Sequence, residues 1–190
     1  MIKMKWAAAW ILFLALCATA GMAQMAKPSE APTSISGVLD RSLKGAEGEF
    51  VSAADAMPED KYSFAPTAGE FKGVRTFAQQ VKHVAAVNYM LGAALLEEKI
   101  PVDTGGENGP DSVKSKADIM KFLNDSFAYL HKAIATIDDK NVVSTIKSPF
   151  GDQKVTRLGV AVIGVGHPFD HYGQMVEYLR MNGIIPPASR

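Results

Sequence analysis

Cysteine is nearly absent: Cys17 is the only one in 190 residues. It lies in an N-terminal stretch that reads as a secretory signal, residues 1–23. Lys3 and Lys5 form its basic start. Ala7–Ala18 is its apolar run, too short to span a bilayer comfortably. Gly21-Met22-Ala23 supplies the small residues of a cleavage site, which places cleavage after Ala23. An uncleaved anchor is the alternative, and the small residues argue against it. Leu16 stands where a lipoprotein signal wants a small residue, so Cys17 belongs to the apolar run. The mature chain then has no cysteine, which excludes disulfides and thiolate metal ligands.

Other absences narrow the function. Lys3 and Lys5 leave with the signal, so 18 basic residues face 20 acidic ones. No basic block occurs, so nucleic-acid binding has no electrostatic footprint. No second apolar run reaches membrane-spanning length, so no stable span remains after cleavage. No C-x-x-C-H segment is present, which excludes attached haem. The expected product is one exported domain, periplasmic or extracellular.

What is present is helical periodicity. Residues 24–34, with Pro28 and Pro32, read as a flexible leader. Residues 35–190 then read as four helices. The first spans Ile35–Met57, with Val38/Leu39, Leu43, Ala46/Glu47, Phe50/Val51 and Ala54 at helical spacing, stopped by Pro58. Ser63–Gly73 is a loop in which Thr67 or Ser63 could cap something short. The second helix spans Val74–Glu98 on a stripe of Val74, Phe77, Val81, Val84/Ala85, Leu91 and Leu95. Ile100–Ser112, rich in Gly and Pro, is either a functional loop or a solvated connector.

The third helix spans Lys114–Asp138, with Ile119, Phe122/Leu123, Phe127, Leu130, Ile134 and Ile137 in register. Asp138–Gly151 reads as a connector in which Val142-Val143 pairs or packs locally. The fourth helix begins near Val155–Leu158 and runs to Met181, with Asn182-Gly183 as its stop. Small residues at 159–166 allow close approach of a neighbour. Pro168 cannot donate to the carbonyl of Gly164. That predicts either a kink near Gly164–His167 or a helix starting at His167.

His167 and His171 lie four residues apart and share one helical face. Gln174 and Tyr178 continue that stripe as supporting candidates. His83 lies inside the second helix among apolar neighbours and faces inward. Three imidazoles from two helices would suit zinc, nickel, iron or manganese and leave open positions. The alternative is plain: such a pair commonly serves in surface or core packing, and a lone His83 is more often a satisfied core residue. His131, beside Lys132, reads as solvated. Asp170 is read as solvent-facing, and Tyr178 as core rather than catalytic.

Two segments then carry a resemblance. Thr76–His83, TFAQQVKH, resembles the second-helix segment of the DinB/YfiT-like superfamily, and His167–Gln174, HPFDHYGQ, resembles its HxxxHxxQ segment. The tail Tyr178–Pro187 resembles the family's usual ending. The resemblance covers roughly Ile35–Ser189. It implies an all-α, DinB/YfiT-like four-helix bundle of up-down-down-up type, with a divalent metal, often zinc or nickel, on His83, His167 and His171. It also implies kinship with thiol-dependent S-transferases. Two features depart from the family: the export signal, since those thiol cofactors are cytoplasmic, and Pro168 between two ligands.

Two functional readings follow. One is a metal-dependent transferase or hydrolase acting on a small substrate. The other is a non-enzymatic metal- or ligand-binding bundle of the envelope. Glu177 and Asp170 are the nearest carboxylates in sequence, and neither falls squarely on the histidine face, which keeps the second reading open. A homodimer is compatible with either.

Overall fold

The computed structural model describes residues 31–190. The signal and the leader as far as residue 30 lie outside the described residues. Four helices carry the fold: α1 (Ile35–Ala56), α2 (Phe77–Leu96), α3 (Lys116–Ile134) and α4 (Arg157–Met181). A small hairpin, β1 (Thr145–Lys147) and β2 (Lys154–Thr156), precedes α4. No described helix is long and apolar enough to cross a membrane.

Each helix starts on a hydroxyl that satisfies an otherwise orphaned backbone N–H. Ser34 accepts from Gly37, Thr76 from Gln79, Ser115 from Asp118 and Thr156 from Gly159. Thr76 and Gln79 form a reciprocal capping box, the Gln79 side chain accepting from the Thr76 N–H at 2.8 Å. That box starts α2 at Phe77, not at Val74. Val74 therefore lies outside the helix and is exposed. At the other end, α2 stops at Leu96 because Glu97 turns left-handed (φ 54°). There the Arg157 guanidinium donates to the Leu95 carbonyl and pairs with Glu97.

α3 also ends earlier than its periodicity suggests. The Thr136 hydroxyl donates to the Ala133 carbonyl at 2.7 Å and the chain turns. Ile137 still reaches the core, at 1% exposure. The connector beyond contains the hairpin, whose antiparallel register pairs Ile146 with Val155. Ile146 is buried against the bundle. Strands of three residues are too short to show a period of two. Val142 packs on the core, whereas Val143 is exposed.

α1 packs against α3 and α4, and so does α2, which puts α1 diagonally across from α2. Leu43, Phe50, Phe77, Leu91, Leu123, Phe127 and Leu130 are fully buried. Burying each such side chain contributes about 1.5–3 kcal/mol. Val38, included in the α1 stripe, faces outward. Of the glycines on α4, Gly164 is the one set against another helix. A Cβ there would lie 3.2 Å from Leu130 Cδ2. α4 does not begin at His167: it runs through Pro168 from Arg157. The Thr156 cap and the burial of Val160, Ala161 and Gly164 hold its weak first half in place.

Candidate metal centre

His83, on α2, meets His167 and His171, on α4, in one cluster. One ligand nitrogen from each lies within 4.8 Å of the others. The ring centroids are 4.6–5.0 Å apart. His83 and His171 are buried, and His167 is half-buried. The one-turn spacing on α4 stacks two rings, and the α2–α4 contact brings in the third.

Hydrogen bonds at the outer nitrogens set two of the three tautomers. His83 Nδ1 faces the Glu107 carbonyl at 2.5 Å. A carbonyl only accepts, so Nδ1 carries the proton and Nε2 the lone pair. His171 Nδ1 lies 2.7 Å from Gln80 Oε1. The Gln80 amide nitrogen in turn donates to Gln174 Oε1 at 2.8 Å, which fixes the oxygen of Gln80 toward His171. His171 Nε2 is therefore its lone-pair nitrogen as well. His83 Nε2 lies 3.1 Å from His167 Nε2. Two ligands of one tetrahedral zinc stand about 3.3 Å apart, from bonds of about 2.05 Å. The donor set and its spacing fit a divalent cation. His167 differs from the others: its Nδ1 is buried without a hydrogen-bond partner among the described residues.

Burial keeps these imidazoles neutral. It pushes His167 down to about 3 and His171 to about 4, and mutual repulsion between the rings adds to the effect. His83 is lowered too, mainly by burial, against the opposing pull of the Glu107 carbonyl. Neutral imidazole is the ligating form.

The Gly-rich loop after α2 serves the site. Its short helical turn, Gly106–Asn108, presents the Glu107 carbonyl to His83. Gly109 lets the loop lie on α2. Its φ is +76°, and a Cβ there would sit 2.4 Å from Lys82 Cβ. Lys82 Nζ donates to the Pro110 carbonyl at 3.0 Å, closing the clamp.

Not every predicted residue acts as expected. Gln174 supports the site through Gln80 rather than touching an imidazole. Gln80 escaped notice, although it precedes His83 by three residues and so shares its face. The Tyr178 hydroxyl donates to the Arg75 carbonyl at 3.0 Å, and its ring packs edge-on against Phe64. Asp170 is exposed, and Glu177 is exposed and pairs with Arg180. His131 is not solvated. Its ring is 17% exposed and clamped between Asp40 at 2.6 Å and Glu47 at 3.1 Å, both on α1.

Beside the triad lies a polar cleft of about 610 Å³, lined by Arg75, Gln79, Gln80, Asn108, Asp111 and Gln174 among others. Gln80 is common to the cleft wall and the histidine cluster.

The sequence profile of the DinB superfamily matches residues 42–175. The chain belongs to the DinB superfamily. Its fold agrees with solved DinB-like structures. A DinB-like protein from Bacillus cereus ATCC 10987 superposes with a TM-score of 0.65 at 17% identity, over 81% of this chain and 96% of that one. A DinB-like protein from Bacillus subtilis gives 0.58 at 16% identity, over 76% and 91%. A conserved protein from Enterococcus faecalis gives 0.61 at 14% identity, over 78% and 97%. No curated protein matches. Within this DinB-superfamily bundle, the histidine cluster bridges α2 and α4, and the post-α2 loop closes over it.

Proposed function

We propose that His83, His167 and His171 hold one divalent metal ion, zinc or nickel, and that the site acts on a small substrate in a transfer or hydrolysis reaction. The observation that carries this reading is the pair of tautomers imposed from outside. The Glu107 carbonyl and the Gln80 carboxamide oxygen each accept a hydrogen bond from an Nδ1–H, which leaves an Nε2 lone pair inside the cluster. A structural packing role for these histidines needs no such uniform arrangement. A divalent cation bound there supplies a Lewis acid that polarises an oxygen or acidifies a thiol. Three protein ligands leave room for a further one, the pattern of catalytic sites.

The protein's own groups do the rest. Gln174 and Asn108 offer hydrogen bonds along the adjoining cleft, and Gln80 in its wall orients His171. No carboxylate joins the histidine cluster among the described residues. A general base from the chain is thus not part of this reading, and proton transfer falls to the substrate or water.

The test is a panel of thiol-transfer and ester-hydrolysis reactions, run on zinc- or nickel-loaded protein and on chelator-treated protein. Turnover should appear only in the loaded form and disappear in His171→Ala. Metal-loaded protein inert across the panel would favour a metal-binding bundle without turnover.

We further propose that the protein is exported with residues 1–23 removed, on the strength of the basic start, apolar run and small-residue cleavage site. N-terminal sequencing of protein from a secreting bacterial host should start at or near Gln24. An intact Met1 on the soluble product would contradict export.

A further inference from the structure

We propose that Arg75 makes the cleft beside the triad a receptor for the carboxylate of a small polar substrate whose other end meets the metal. The proposal rests on the metal reading above and adds the substrate class.

Arg75 is half-buried and lines the cleft together with Gln80, the residue that orients His171. Its position is held from two directions. The Tyr178 hydroxyl bonds its carbonyl at 3.0 Å, and its own Nε donates to Asn108 Oδ1 at 3.3 Å. Asn108 follows Glu107, whose carbonyl accepts the hydrogen bond from His83 Nδ1–H, so one loop segment holds both the guanidinium and the imidazole. Tyr178 thereby acquires a role that its place on the histidine stripe did not reveal.

The Nε–H is engaged, but the terminal nitrogens of the guanidinium have no hydrogen-bond or ion-pair partner among the described residues. Those nitrogens form the fork that grips a carboxylate through two parallel bonds. The cationic field of Arg75 reaches the cluster, where it is one of the influences holding all three imidazoles below their usual range. Among the described residues Arg75 is the one cation lining the cleft and Asp111 the one anion, so the lining carries no surplus positive charge. The guanidinium fork can grip one carboxylate, whereas a phosphate dianion would set two charges beside Asp111 with no further lining cation to offset them. The amide nitrogens of Gln79 and Gln174 suit an uncharged polar middle section.

The experiment uses cobalt(II)-loaded protein, whose visible spectrum changes when a thiolate joins the metal. Thiolate is a soft ligand for such sites. Mercaptoacetate, 3-mercaptopropionate and 4-mercaptobutyrate are titrated against their amides. At least one carboxylate should bind about 10-fold or more tightly than its amide, the value of a charge-assisted contact. Arg75→Gln should abolish that preference, Arg75→Lys should restore part of it, and cobalt content should stay unchanged in both. Equal binding of acids and amides by a loaded protein would overturn the carboxylate receptor alone. So would a preference that persists in Arg75→Gln, since the metal itself would then be chelating the acid. A protein that takes up no cobalt would overturn both the metal reading and this one.

Discussion

Gln80 Oε1 lies 2.7 Å from His171 Nδ1, while the amide nitrogen of Gln80 is spent on Gln174. This two-step relay ties an α2 side chain to an α4 ligand and leaves the amide one orientation. Gln80→Leu removes the acceptor and strands a buried N–H. Metal affinity should fall about 10–100-fold, as for other outer partners of ligating histidines. Gln174→Ala loosens Gln80 without removing it, so its effect should be smaller. Competition with a chelator measures both; an unchanged affinity in Gln80→Leu would contradict the relay.

The loop clamp gives a second expectation. Gly109→Ala forces a side chain onto Lys82 at a positive φ. The loop must lift, and His83 loses the Glu107 carbonyl. Stability should drop by about 1–3 kcal/mol, from strain at that backbone position. Metal affinity should fall with it, by about 10-fold or more. Calorimetric unfolding and chelator competition on the same variant read the two effects separately.

Acid should destabilise the metal-free protein. His167 and His171 are held at about 3 and about 4 in the fold, against about 6.5 in an unfolded chain. As pH falls below about 6.5 the unfolded state takes up protons first, so stability present above that value is lost progressively toward about pH 4. Each kcal/mol lost lowers Tm by about 2–4 °C in a domain of this size. Differential scanning of chelated protein between about pH 7.5 and 5 should show the fall, and His171→Gln should flatten it. Identical slopes for the wild type and variant would refute the assignment of that slope to His171.

The four helices and the His167–His171 pair were legible because they obey the 3.6-residue period, whereas His83 joined that pair through the resemblance to the DinB family. His167 and His171 share a face by arithmetic alone, and His83 faces inward because apolar residues flank it. Helix ends were less legible because single hydrogen bonds decide them, as the Thr76–Gln79 box and the Thr136 hydroxyl show. Gln80 and Glu107 were missed for different reasons. Gln80 is an ordinary helical polar residue until α4 packs on it. Glu107 acts through its backbone carbonyl, which carries no side-chain signature. His131 was misjudged from its neighbour Lys132. Its true partners, Asp40 and Glu47, lie seven residues apart on α1, two turns along one face.

That clamp makes His131 a structural residue. His131→Ala leaves Asp40 and Glu47 facing each other across an empty site. Burial alone would raise the Asp40 carboxyl, but the Lys44 and His131 contacts bring it below its usual value. Stability should fall by about 1–3 kcal/mol, the cost of unpairing hydrogen-bonded groups. A Tm equal to that of the wild type would contradict the clamp.

The central claim is that three histidines from two helices share one metal. Elemental analysis of the purified protein and its four His→Ala variants tests it most directly. One divalent ion per chain is expected in the wild type and in His131→Ala, and loss of most of it in His83→Ala, His167→Ala and His171→Ala. Full occupancy in His83→Ala, or loss of metal in His131→Ala, would contradict it.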